Sequence, residues 1–196
     1  RSGGATQAHS LYRLRWQASD PNGEELLYDL YLTDAKDRLR YALGNRCPVP
    51  LLIIGLNPST ANQYARDQTL PRVEGFARRR ARGIIMCNLY PLRCTDPDRL
   101  PKRADPAVVE DNTRCIVSLC RKHAVREIWA AWGDPIEKRP YLSTCLHQLY
   151  EALDPLSIDW LKCGSTTRRG HPRHPSRLAY KHRFSPFDMN RYLSDR

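Results

Sequence analysis

The chain has 196 residues, 41% hydrophobic and 27% charged, a size and balance that suit one globular domain and exclude a disordered or fibrous chain. Its 32 Lys and Arg against 21 Asp and Glu leave a formal net charge of +11, which points to a polyanionic partner, nucleic acid first. No apolar run approaches the roughly 20 residues that cross a bilayer, the first residues lack the apolar stretch of a signal peptide, and no basic amphipathic helix stands out, so a membrane role is not expected.

Arg1-Ser2-Gly3-Gly4 reads as an expression remnant, which leaves one domain over residues 5–196. Residues 5–48 are expected to form an N-terminal β extension, with Leu26 to Leu32 as a strand or hairpin arm. The core then runs from 49 to 196. Leu51-Leu52-Ile53-Ile54-Gly55 is a short, wholly apolar run, the pattern of a strand buried on both faces in a parallel sheet. A helix is expected over Thr69 to Ala81, with Leu70, Val73, Phe76 and Ala77 on one face. Ile84 to Cys87 is the second apolar run. Asp105-Pro106 opens a helix as N-cap and first residue, with Val108, Val109, Ile116 and Leu119 as its stripe. Ile128 to Gly133 is the third run, Tyr141 to Leu153 the third helix, and Ile158 to Leu161 a weaker fourth run. Ser185-Pro186 opens a short C-terminal helix ending near Leu193. This alternation predicts an α/β fold with a mainly parallel four-stranded sheet between helical layers.

The seven cysteines include no C-x-x-C pair, and most lie in apolar stretches. Reduced, mostly buried thiols in a cytoplasmic protein are expected, not a disulfide framework or a zinc ribbon. No metal and no cofactor is expected, and the chain is read as a monomer.

Ligands in a parallel α/β sheet bind beyond the carboxyl ends of the strands, and the unusual residues cluster there. In Gly55-Leu56-Asn57-Pro58-Ser59-Thr60, Asn57 projects from a strand end and its carboxamide can hold one water; an Asn-Pro turn without chemistry is the alternative. In Asn88-Leu89-Tyr90-Pro91-Leu92-Arg93, Asn88 can read a base edge and Arg93 can meet a phosphate, or the two can cap a strand and face solvent. From Lys162 to Phe187 there are seven Lys and Arg and no acid, so Gly170-His171-Pro172-Arg173-His174-Pro175-Ser176-Arg177-Leu178 repels itself unless an anion sits on it. A zinc site on Cys163, His171 and His174 fails for want of a fourth ligand at suitable spacing. Arg78-Arg79-Arg80 with Arg82 is a second basic cluster, explained equally well as a solvated helical face.

Together these loops resemble the uracil-DNA glycosylase superfamily. Gly55-Leu56-Asn57-Pro58 is similar to the first motif in its mismatch-specific form, Met86-Cys87-Asn88 to the strand ending in a base-recognising asparagine, and His174-Pro175-Ser176-Arg177-Leu178 to the last motif. Pro91 to Pro97 resembles the iron–sulfur branches, although the spacing of their cluster cysteines is absent. The chain also resembles a bacterial and phage family carrying Leu-Asn-Pro-Ser-Thr-Ala and Gly-His-Pro-Arg-His-Pro. The resemblance covers residues 50 to about 180.

It implies a DNA glycosylase that flips a base and hydrolyses its N-glycosidic bond, in repair or in defence against phages with modified bases. Asn57, His174 and Asp67 are then the catalytic candidates. Asn57 would position water, His174 would donate a hydrogen bond to the departing base, and either the reaction relies mainly on leaving-group stabilisation or Asp67 is the base; a helix N-cap or a solvent charge is the alternative role for Asp67. Asn88, Tyr64 and Tyr90 are the base-binding candidates, the tyrosines by stacking. Ser59, Arg93, His171, Arg173, Ser176 and Arg177 are the DNA contacts. No lysine stands as an imine-forming nucleophile, so the product is an abasic site without strand cleavage. Two departures, Gly170 to Arg173 and Thr60 to Tyr64, imply a base pocket other than that for uracil. A nucleotide- or base-modifying transferase and a non-catalytic DNA-binding module are the alternatives.

Overall fold

The computed structural model describes residues 26–81 and 83–196, together with the strand placement of Arg13 and Leu14. Residues 1–4, most of the expected N-terminal extension before residue 26, and Arg82 lie outside the described residues. The fold is α/β. One mixed sheet of eight strands runs in the order β1-β2-β3-β5-β4-β6-β7-β8. The strands are β1 (Arg13–Leu14), β2 (Leu30–Thr33), β3 (Arg40–Gly44), β4 (Leu51–Gly55), β5 (Ile84–Asn88), β6 (Glu127–Ala130), β7 (Asp159–Cys163) and β8 (Phe184–Pro186). The helices are α1 (Leu70–Ala77), α2 (Pro106–Lys122), α3 (Pro140–Leu153) and α4 (Met189–Ser194).

The four apolar runs form the parallel centre, β5-β4-β6-β7. The sheet is larger and more mixed than four parallel strands, because β3, β2 and β1 extend one side and β8 the other, all antiparallel. The period-two alternation of the central strands splits their side chains between two cores. Leu51 and Ile53 of β4 face α1 with Ile84, Trp129 and Leu161. Leu52 and Ile54 face α2 and α3 with Ile85, Ile128 and Trp160. Each fully buried aliphatic or aromatic side chain contributes about 1.5–3 kcal/mol, so the doubly buried runs anchor the fold.

The helix signals act as capping chemistry dictates. The Asp105 carboxylate accepts the Ala107 N–H, and Pro106 starts α2. The buried face of α1 is Leu70, Val73, Phe76 and Ala77, but the helix stops at Ala77, so Arg78 to Arg80 lie beyond its last turn and not on a helical face. At the C-terminal end the expected helix start is wrong. Lys162 and Ser185 pair across β7 and β8, so Ser185 and Pro186 are edge strand, and α4 begins after the Asp188 cap. All seven cysteines are free, five of them buried. Burial pushes the Cys115 thiol up to about 12 and Cys87 well above its ordinary range, which keeps both protonated and inert. No helix among the described residues is long and apolar enough to cross a membrane.

Candidate functional site

A cleft of about 1510 Å³ opens at the carboxyl ends of the parallel strands. It brings together eight of the expected residues: Asn57, Ser59, Asp67, Asn88, Arg173, His174, Ser176 and Arg177. A second concavity, about 1090 Å³ between α2 and α3, collects none of them.

The first two loops are laced by main chain. Leu89 and Tyr90 N–H donate to the carbonyls of Gly55 and Leu56, and Cys94 N–H donates to Pro58. Asn57 Nδ2 donates to the carbonyls of Cys94 (2.6 Å) and Pro58 (3.2 Å). Only an N–H end can face two carbonyl oxygens, so this pair fixes the amide orientation and leaves Oδ1 as acceptor.

Asn88, at the end of β5, is 1% exposed. Neither its Oδ1 nor its Nδ2 has a hydrogen-bond partner among the described residues. Its main chain, by contrast, is firmly held: Asn112 of α2 donates from Nδ2 to the carbonyls of Asn88 (2.8 Å) and Leu89 (3.2 Å). Gly55 makes room for the amide, since a Cβ there would meet Asn88 Oδ1 at 2.7 Å. A buried, unpaired carboxamide costs folding free energy. A fixed strand end that carries one beside a cleft is organised for a ligand with its own donor and acceptor.

His174 lies half-buried opposite. Its Nδ1 meets the Ser176 N–H (3.3 Å) and hydroxyl (2.8 Å). The backbone N–H can only donate, so Nδ1 is the acceptor and the imidazole proton sits on Nε2. Burial pushes its pKa down to about 4, the Asp67 charge pulls it up and Arg177 lowers it further. Gly133 supports this geometry. It has φ +69°, its N–H donates to the Pro172 carbonyl at 3.0 Å, and a Cβ would meet His174 Cβ at 3.3 Å. Asp67 Oδ1 accepts the N–H groups of Thr69 (2.8 Å) and Leu70 (3.0 Å), so the carboxylate caps the start of α1 while lining the cleft.

Four expected residues do not line the cleft. Tyr90 is core: its hydroxyl accepts the Asp105 N–H and its ring packs on Tyr141 at 5.2 Å. The half-buried Tyr64 sits in a turn closed by Asn62. Arg93 is a clamp and not a phosphate contact. Its guanidinium donates to the carbonyls of Ser59 (2.9 Å) and Ala61 (3.0 Å) and to the Tyr31 hydroxyl, and pairs with Asp37 at 3.4 Å. His171 is 1% exposed, in a directed chain. Trp132 Nε1 donates to the Tyr192 hydroxyl (3.1 Å), whose proton then goes to His171 Nδ1 (2.6 Å), and His171 Nε2 donates to Glu137 (2.7 Å). Of the residues on the cleft wall, Arg173 is partly spent on its own loop, donating from Nε to the Ser165 carbonyl at 3.0 Å.

Two site residues went unread in the sequence. Asn112 had a signal, a polar residue in register with Val109 and Ile116 on the buried face of α2. Arg40 had none. Between Leu39 and Tyr41 it looks like the solvent face of an edge strand, yet it is 2% exposed and lines the cleft.

Residues 40–176 match the model of the family described as Protein of unknown function (DUF1643), and the chain belongs to that family. The matched span holds every expected catalytic and base-binding residue. No curated protein and no solved structure matches the chain.

Proposed function

We propose that the protein is a DNA N-glycosylase that binds a flipped base in this cleft and leaves an abasic site. The observation that carries the reading is the Asn88 amide, buried with both hydrogen-bonding atoms unused. A pyrimidine edge offers the complementary acceptor and donor in one plane, and the amide's unpaired atoms give binding free energy when it arrives. The net charge of +11 and the arginines Arg168 and Arg177 on the cleft wall suit a phosphate backbone. On this reading the four central parallel strands are a uracil-DNA glycosylase-like core, and β1 to β3 are its extension.

Cleavage breaks the C1′–N bond, and its electron pair departs with the base. His174 Nε2–H donates to the base oxygen that gains the charge, and a neutral donor does so without a protonation equilibrium. Asn57 Oδ1 orients the water. Asp67 supplies a negative charge that stabilises the oxocarbenium-like sugar, and its second oxygen takes the proton as the water oxygen bonds to C1′. Extrusion costs a few kcal/mol, which phosphate contacts offset.

The test is alkali-labile site formation on a panel of DNAs carrying plain, deaminated, alkylated and phage-type modified bases. Product from one base class, lost in Asn88→Ala and His174→Ala, is expected. If no DNA yields product while salt-sensitive binding persists, the glycosylase reading fails and a binding module replaces it.

A further inference from the structure

Arg40 is a buried cation that no acid among the described residues pairs with directly. Among the described residues its guanidinium makes one hydrogen bond, from Nη1 to the Ala61 carbonyl at 2.9 Å. Its Nε is buried and unpartnered. None of the ion pairs among the described residues includes it, although Arg93 pairs with Asp37 beside it. Burial and the neighbouring Arg93 charge push its pKa down to about 10, the Asp67 charge pulling the other way, so it remains charged at neutral pH. Removing a charge from water without pairing it is among the costliest arrangements a fold can hold.

The sheet explains how the charge comes to the cleft. β3 runs antiparallel to β5, Leu43 opposite Met86, so the start of β3 lies at the carboxyl end of β5 where Asn88 stands. The register shift between Leu32 and Thr33 sets Arg40 opposite Thr33. The Arg40 N–H donates to the Pro91 carbonyl at 2.8 Å, which ties the strand to the loop that follows Asn88. Two almost fully buried polar side chains, each with unused N–H groups, thus line one cleft.

We propose that Arg40 and the Asn88 Nδ2 form an oxyanion-binding subsite in the cleft, which takes a phosphate or carboxylate group of the ligand. A guanidinium binds such a group by paired N–H···O bonds, and Asn88 Nδ2 adds a donor that an anion accepts from but a second cation does not. The subsite does not depend on which bond the enzyme cuts. If the ligand is a flipped nucleotide, the oxyanion is either its own phosphate or an acidic substituent on its base. Only the second source distinguishes the site from one for plain uracil.

The test is thermal unfolding of the full chain with four probes: inorganic phosphate, a deoxynucleoside 5′-monophosphate, a pyrimidine deoxynucleoside with a carboxylate at C5, and the unsubstituted deoxynucleoside. At about a hundredfold excess over Kd, an anionic probe is expected to raise the midpoint by roughly 5–10 °C, and the unsubstituted one not. Response to phosphate and the monophosphate assigns the backbone as source; response to the carboxylate nucleoside alone assigns the base substituent. Arg40→Gln and Arg40→Met should abolish the shift and unfold at or above the wild-type temperature, since they remove an unpaired buried charge. Asn88→Ala should weaken anion binding about tenfold, the loss of one hydrogen bond to a charged group. The proposal is overturned if no anionic probe exceeds the neutral one on wild-type protein, or if the shift survives in a folded Arg40→Gln. Anion binding without base release sinks the glycosylase reading alone; base release with no anionic effect sinks the subsite alone.

Discussion

The His174 imidazole makes the stability of the fold depend on pH with a definite sign and size. Its ordinary value of 6.5 holds for the unfolded chain, and burial brings it to about 4 in the native protein. Below 6.5 the unfolded chain takes up a proton that the native protein refuses, so stability is complete above that value and falls as pH drops towards 4. Between about pH 7 and pH 5 the linkage amounts to about 2 kcal/mol, rising to about 3 kcal/mol near the native value. For a domain of this size that lowers the midpoint by roughly 4–8 °C between those pH values. The assay is denaturant or thermal unfolding of wild type and His174→Asn across the window. The difference between the two proteins isolates this residue from the other titrating groups, and the variant curve should be the flatter. Parallel curves would refute the reasoning, as would an imidazole resonance of His174 that titrates near its ordinary value. On the proposed glycosylase reading, the same burial means that base release should show no rate limb near neutral pH from this histidine.

Three further outcomes follow from the geometry. His174→Ala should lower base release by about 10²–10³-fold, the usual loss for one preorganised donor, with native DNA affinity in a gel-shift titration. Gly55→Ala places a methyl 2.7 Å from Asn88 Oδ1 and from Met86 Cε, both movable side-chain ends; it should cost about 1–3 kcal/mol by denaturant titration and misalign the amide enough to remove ligand binding. His171→Ala breaks the chain from Tyr192 to Glu137 and should cost about 1–3 kcal/mol, because the Tyr192 hydroxyl loses the acceptor for its proton, while on the proposed reading base release per folded molecule stays near wild type.

Much of the fold was legible because its signals are local. Four short apolar runs can only be strands covered on both faces, and Asp105-Pro106 carries its own capping chemistry. The flanking antiparallel strands were harder. β3, with Arg40 and Tyr41 among its five residues, has no alternating pattern until its partner β5 and the bulge opposite it are known. Pro186, read as a helix start, occupies the edge strand because an edge tolerates a residue with no N–H to give. At the site, the strand-end rule found Asn57, Asn88 and His174. It failed where side-chain direction decides. His171 and His174 are three residues apart in one basic loop, yet one turns into the Trp132 core and the other onto the cleft. Arg93 carries a phosphate-binder's side chain that the carbonyls of Ser59 and Ala61 have already claimed.

The hairpin of β2 and β3 has a consequence for how such a protein diversifies. It is peripheral in the sheet, joined by a short turn, and contributes Arg40 from outside the parallel centre. The two strands are packed into both cores, Leu32 and Ala42 on one side and Tyr31 and Leu43 on the other, whereas residues 35–38 of the turn are exposed and can change with little repacking. Variation in that turn therefore reaches Arg40, two residues beyond it, while the parallel strand ends keep their own packing.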